Sequence, residues 1–547
     1  MAPEHTDADR QAGRFGQLGS RLRRLGEVIR GSDLEMRRYR PEIDPPLATF
    51  EPPSGETEVE RYWVNAPFAF VVITHDRAAN ERFYYAVEPD LDEFERELLE
   101  RVEDDIRDPL LYRRVEPDEM DAALFEELES MLEGYGVDVD VSTFHRLYYY
   151  LLRDFQGYGK IDPLLADGHI EDLSCDGYDL PIFAYHDEYT DIETNVVFGE
   201  PELDNFVIRL AQRSGQHISI GDPMVEATLP EGSRAELALG REVTPRGSAF
   251  TIRQYADEPF TPIDLIEYGT YDVDQMAYFW LCIEHNKSLI FAGGTASGKT
   301  TSMNAVSMFI PPRSKVLTIE DTRELSLYHD NWLSSVTRER REEGSDVDMY
   351  DLLRSALRHR PEYIIVGEVR GEEAVTLFQA MNTGHTTFST MHADSVETVI
   401  NRLENEPINV PRAMVQSLDM LSVQTLTRFE NRRVRRAKTI AEIHGIDQRT
   451  GELDYSAAYR WDPGTDGFVE NDSTLMDEIQ RERGWSRGEL LEEIRNRKRF
   501  LEFLQNRNVT DYRTFTALVN EYYADSDAVM NRIETGDATA IDGAATD

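Results

Sequence analysis

Residues 293 to 300 read GGTASGKT, a G-x-x-x-x-G-K-[ST] pattern set between the apolar run SLIFA and the helix-forming run TTSMNAVSMFI. A glycine-rich turn that joins a buried strand to a helix aims backbone N–H groups and the helix N-terminus at a phosphate chain. Gly293 and Gly298 let that backbone curl around β- and γ-phosphates, and Gly294, Thr295, Ala296 and Ser297 complete the loop. Lys299 supplies a point charge, Thr300 offers a hydroxyl to Mg²⁺, and Thr301 beside it is counted with the nucleotide-binding residues. A turn of this kind demands a mostly parallel sheet covered by helices on both faces, an α/β core.

The sequence downstream repeats the alternation such a sheet needs. Strand KVLTIE, helix MYDLLRSALRH, strand YIIVG, helix EEAVTLFQAMNT, strand TTFSTMH and helix SVETVINRLEN follow in order. In a parallel sheet the carboxyl ends of the strands share one edge, so residues closing each strand meet the phosphate loop. Glu320, closing KVLTIE, is expected to help hold Mg²⁺ and its waters, with Asp321 beside it. Glu368, after the small Gly367, is expected to orient or deprotonate an attacking water. His385 and His392 flank the strand TTFSTM, where a histidine near the γ-phosphate could sense nucleotide state.

Charge narrows the partners. The 547 residues carry a formal net charge of −46, and Lys stands only at 160, 287, 299, 315, 438 and 498. A dense carboxylate coat of this kind suits high salt, where screening shortens to about 3 Å at molar concentration. It also repels phosphate backbones, so nucleic acid is not expected as a partner. With 40% hydrophobic residues and long apolar-periodic segments the chain is globular rather than disordered. Cys175 and Cys282 stand alone, which excludes a cysteine zinc cluster and limits the expected metal to Mg²⁺. No apolar run reaches the roughly 18 to 20 residues of a membrane span, and a cytoplasmic chain is expected.

Composition and punctuation suggest the following organisation. Residues 1–58 form an Arg-rich mobile segment in which Leu18, Leu22, Leu25 and Val28 could line one helix face. Residues 59–165 make a unit of one hairpin and three helices, and 166–256 a small α+β domain. Pro259 and Pro262 mark 257–274 as a linker. The nucleotide-binding core is placed at 275–446, a hairpin and helical appendage at 447–534, and a frayed tail at 535–547.

Taken in order, GGTASGKTT, TIEDTREL, RPEYIIVGEVRGEEA and TGHTTFSTMHADS resemble the secretion-type filament assembly ATPases of type II secretion, type IV pili and archaella. The stretches YWVNAPFAFVVI, EDLSCDGYDLPIFAYH and LPEGSRAELALG are similar to the archaeal branch, and the acidity suggests a halophilic archaeon. The resemblance covers roughly residues 60 to 445. It implies a RecA-like P-loop core, a homohexameric ring, ATP with Mg²⁺ at each site, and rotation of the N-terminal domain on turnover. Motion would pass to an integral membrane platform protein, so the motor would sit peripherally on the inner face of the membrane. Pilus assembly is favoured over archaellum rotation, and a nucleic-acid pump is the remote alternative. The resemblance also implies that Arg234 in EGSRAEL and Arg253 in FTIRQY neutralise charge on the phosphates.

Overall fold

The computed structural model describes residues 39–41, 43–112, 120–254, 259–338, 347–430 and 432–535. The Arg-rich stretch up to residue 38 and the tail from 536 lie outside the described residues. The chain divides into two compact units, Met1–Tyr255 and Ala256–Asp547.

In the first unit, AFVVITHD forms β2 (Ala69–Asp76), whose first six residues are all buried. It pairs antiparallel with β1 (Glu56–Asn65) and β3 (Glu81–Val87), so the expected hairpin is a three-stranded meander. Helices α1 (Glu93–Tyr112), α2 (Met120–Tyr135) and α3 (Val141–Phe155) follow. Leu99, Val102, Leu128, Phe144, Leu147 and Leu151 pack into one cluster among them. Asp140 caps α3 by accepting the Thr143 N–H at 2.7 Å.

After these come β4 (Ile170–Cys175), β5 (Pro181–His186), β6 (Thr190–Val197), α4 (Glu200–Arg213), β7 (Met224–Thr228), β8 (Arg234–Ala238) and β9 (Ala249–Arg253). All nine strands form one sheet in the order β1-β2-β3-β6-β5-β4-β9-β8-β7. The parallel pairing of β3 with β6 closes the gap at residue 165, so that expected boundary crosses a single sheet. Val71, Tyr84 and Ile192 accordingly share one core cluster.

The second unit takes in the whole of the expected linker, 257–274. Thr261 and Asp264 form a reciprocal capping box at the head of α5 (Pro262–Glu267), and Ile263 and Leu265 are buried. Pro262 starts this helix instead of breaking the chain, because proline at N1 forfeits no intrahelical bond. Then follow α6 (Val273–Glu284), β10 (Leu289–Gly293), α7 (Lys299–Ser307), β11 (Val316–Glu320) and β12 (Trp332–Val336). Next come α8 (Met349–Ala356), β13 (Tyr363–Val366), α9 (Glu373–Asn382), β14 (Thr386–Met391) and α10 (Val396–Glu404). The chain continues through β15 (Met420–Phe429), β16 (Arg432–Ile446), β17 (Leu453–Asp462) and β18 (Gly467–Glu470).

These strands make a second nine-stranded sheet, ordered β12-β11-β13-β14-β10-β15-β16-β17-β18. Every pair from β12 through β15 is parallel, and the pairs from β15 to β18 are antiparallel. The expected break after residue 446 falls in a turn of this continuous sheet, with Ile446 paired to Leu453.

Helices α11 (Thr474–Arg483), α12 (Arg487–Gln505), α13 (Tyr512–Ala524) and α14 (Ser526–Thr535) complete the unit. They are not an appendage with a core of their own. Trp280 of α6 stacks on Phe309 at 5.0 Å between centroids and meets Phe500 of α12 edge-on at 5.4 Å. Its indole N–H donates to the Tyr523 hydroxyl at 2.9 Å, which donates to the Phe309 carbonyl at 2.7 Å. Helices α11 to α14 thus share the core on which β10 lies.

Candidate nucleotide edge

Strand β10 runs Leu289 to Gly293 with every residue buried, and its end becomes the phosphate loop. A Cβ on Gly293 would lie 2.3 Å from Ser297 Oγ and 2.8 Å from the Gln424 carbonyl, so the turn closes only with glycine. Gly298 caps α7 at φ 88°, the left-handed region. The Gly294 carbonyl accepts from Ser297 Oγ and from Lys299 Nζ, both at 2.9 Å. Thr300 and Thr301 follow in the first turn of α7. Burial pulls the Lys299 ammonium below its ordinary pKa, while Glu368 and Glu324 oppose that shift.

Strand order decides what faces the loop. β14 lies between β10 and β13, and β11 stands one place further out, so the loop and the two acids span four strands. Glu368 follows the end of β13. Its Oε2 accepts from Arg370 Nη2 at 2.7 Å, and its Oε1 lies 3.4 Å from His392 Nε2. Arg370 Nη1 also lies 3.8 Å from Asp321 Oδ2. His392, just past β14, is held below its usual pKa first by burial and then by the Lys299 charge, which favours the neutral imidazole.

Glu320, at the end of β11, is 1% exposed. Its Oε1 accepts the backbone N–H groups of Glu324 and Leu325 at 2.9 and 2.8 Å. Its Oε2 is buried with no hydrogen-bond partner, and burial lifts its pKa to about 7. A buried carboxylate oxygen left unmatched at the edge where a phosphate loop opens fits a cation or its water shell.

His385 does not stand at this edge. His385 precedes β14, at the amino end of the strand that His392 follows, about 20 Å away at ~3.3 Å per residue. There its Nδ1 lies 3.3 Å from the Ala380 carbonyl and 3.2 Å from Thr383 Oγ1, at the close of α9. Arg234 and Arg253 belong to the first unit, where they are cross-strand partners on β8 and β9. Arg234 pairs with Glu226, and Arg253 Nε donates to Asp172 Oδ1 at 2.9 Å.

Three residues at the edge were not singled out from sequence. Arg370 clamps Glu368, and it lies two letters beyond the glutamate in YIIVGEVRG. Arg435 of β16 donates from Nε to the Ala296 carbonyl at 3.0 Å, bringing a guanidinium onto the loop from the antiparallel half of the sheet. Buried Gln424 of β15 donates to the Tyr271 hydroxyl at 2.7 Å and to Ser302 Oγ, backing the loop from below. The dense basic run RRVRRAK was the available signal for Arg435; Gln424 had none.

A model of the type II/IV secretion system protein family matches residues 203–508, and a PilB3-like N-terminal model matches 16–90. The chain belongs to the type II/IV secretion system protein family. An uncharacterized protein of Methanocaldococcus jannaschii is 37% identical over 384 residues, 69% of this chain and 70% of its own length. The type IV secretion system protein PtlH of Bordetella pertussis is 33% identical over 235 residues, covering 36% of this chain and 68% of PtlH. Among solved structures, the ATPase DotB of Yersinia pseudotuberculosis is similar at 17% identity and a TM-score of 0.39, over 70% of this chain and 94% of DotB. The pilus retraction motor PilT with bound ADP is similar at 21% identity and a TM-score of 0.36, over 61% of this chain and 90% of PilT. As in the sequence reading, this secretion family member has an α/β core with parallel strands, preceded by a unit of strands and helices. No described helix is long and apolar enough to cross a membrane.

Proposed function

We propose that this secretion family member hydrolyses ATP and that a homohexamer of it drives assembly of a surface filament through an integral membrane platform protein. The observation that carries the reading is the gathering of Lys299, Glu368 with Arg370 and His392, and the half-satisfied Glu320 on one carboxyl edge of one sheet. The loop from Gly293 to Gly298 would cradle the phosphates, with Lys299 turning from the Gly294 carbonyl to the anion. Thr300 and Glu320 would hold Mg²⁺, which neutralises charge on the transferred phosphoryl group when bound. Glu368 is the base that accepts a proton from the attacking water, Arg370 fixes its carboxylate, and His392 Nε2 lies 3.4 Å from its other oxygen. By resemblance, Arg253 and with it Arg234 are assigned to neutralising phosphate charge.

Steady-state hydrolysis and nucleotide binding, measured side by side on the full chain at high salt, test this. Glu368→Gln is expected to bind ATP as the parent does and to lose about 10²–10⁴-fold in kcat. Arg253→Ala is expected to lower kcat with less change in ATP affinity. Undiminished turnover by Glu368→Gln would remove Glu368 from the role of base.

A further inference from the structure

A second constellation lies in the first unit. His169 stands just before β4, His186 ends β5, and Asp187 opens the turn into β6. One ligand atom from each lies within 4.8 Å of the other two. His169 Nδ1 is 3.0 Å from Asp187 Oδ2, and His186 Nδ1 is 3.1 Å from Asp187 Oδ1. Donors bound at about 2.0–2.1 Å around a tetrahedral Zn²⁺ stand about 3.3 Å apart, close to both separations.

The hydrogen bonds of His186 fix which ring nitrogen carries its lone pair. Its Nδ1 accepts the backbone N–H of Glu188 at 3.1 Å, and that of Tyr189 at 3.4 Å, so Nδ1 bears no proton. Asp187 Oδ1 lies 3.1 Å from the same nitrogen, so a cation seated there would meet a donor atom from each. The long Tyr189 contact is the weaker of the two that a metal would displace.

The opposite nitrogen, Nε2, donates to the Tyr62 hydroxyl at 3.3 Å, and Tyr62 donates to Asp167 Oδ2 at 2.7 Å. Asp167 is 1% exposed, takes a second bond from the Tyr84 hydroxyl at 2.8 Å, and accepts the His169 backbone N–H through Oδ1 at 2.9 Å. A ligating imidazole whose second nitrogen is tied to a carboxylate is the usual outer shell of a histidine metal site, here relayed through a tyrosine.

We propose that His169, His186 and Asp187 bind a divalent transition metal of the Zn²⁺ type, with water in the fourth position. Two imidazoles and one carboxylate favour Zn²⁺ over Mg²⁺ or Ca²⁺, which take oxygen ligands. The ion ties the segment leading into β4 to the β5–β6 turn. It uses none of the residues proposed to hold Mg²⁺.

The full chain, stripped with chelator and kept in excess Mg²⁺ to fill the phosphate edge, is titrated with Zn²⁺ by calorimetry, and metal content is measured after desalting. The wild type is expected to retain one equivalent more than the double variant H169Q/D187N and to melt higher once loaded. Tyr62→Phe is expected to weaken Zn²⁺ by about 10–100-fold. Melting without Zn²⁺ establishes that the variants fold. Should they fail to fold, Co²⁺ in the wild type decides through the intense visible absorption of a tetrahedral site. Equal Zn²⁺ content in wild type and folded variant, or Co²⁺ without that absorption, overturns the proposal.

Discussion

Two buried glutamates of the second unit make opposite use of the same side chain. Glu442 of β16 and Glu320 of β11 are 0% and 1% exposed. Glu442 has both oxygens engaged: the Tyr278 hydroxyl donates to Oε1 at 2.7 Å, while Oε2 takes the Thr474 N–H at 2.8 Å, the Thr474 hydroxyl at 2.6 Å and the Leu475 N–H at 3.2 Å. It pins the N-terminus of α11 to the sheet, where a negative charge also suits the helix dipole. Glu320 has two backbone donors on one oxygen and none on the other. Both oxygens of Glu442 are engaged in holding the fold, whereas one oxygen of Glu320 is buried with no hydrogen-bond partner.

Stability offers the hardest strain on that contrast. Glu442→Ala strands several buried donors and is expected to cost about 3–5 kcal/mol in urea or thermal unfolding, with ATP affinity per folded molecule unchanged. Unfolding midpoints within experimental error of the parent would show that Glu442 is no staple.

Glu320→Gln keeps an acceptor for the two backbone N–H groups, so unfolding should shift by no more than about 1–2 kcal/mol. The Mg²⁺ concentration for half-maximal hydrolysis should rise at least about tenfold, the scale seen when groups around a metal are altered. The pH dependence sharpens this. Folding lifts the Glu320 pKa from 4.5 to about 7, so the folded protein keeps a proton that the unfolded chain releases. Its contribution to stability therefore falls as pH rises between those values, and Mg²⁺ affinity climbs as the proton leaves near pH 7. Glu320→Gln should flatten the Mg²⁺ affinity profile between pH 6 and 8; a profile equally steep in the variant would assign the titration elsewhere.

The mildest effects belong to the two histidines flanking β14. His392→Ala is expected to lower kcat severalfold, less than the tenfold that about 1.4 kcal/mol represents, and His385→Ala to leave it unchanged. Equal losses from both would mean that the strand's amino end also reaches the chemistry.

What was legible in the sequence follows the same division. The residues that lie within contiguous motifs could be placed on one sheet edge: the loop with Lys299, the strand-terminal Glu320 and Glu368, and His392. Parallel strands place their carboxyl ends together whatever their order. The order itself was not legible, because nothing local in TTFSTM announces that β14 separates β10 from β13. His385 was misplaced for a related reason, since it and His392 bracket a strand too long for both to meet one ligand. Gln424 and Arg435 reach the loop only because β15 and β16 extend the sheet past β10, a long-range pairing with no local mark. The prolines at 259 and 262 suggested a linker where Pro262 in fact opens a capped, buried helix.

The place of β14 has a mechanical corollary. A strand's side chains alternate faces, so adding or deleting one residue within Thr386–Met391 would turn His392 away while both acids and the phosphate cradle kept their own strands. The register of six residues therefore sets whether an imidazole stands beside Glu368 at all.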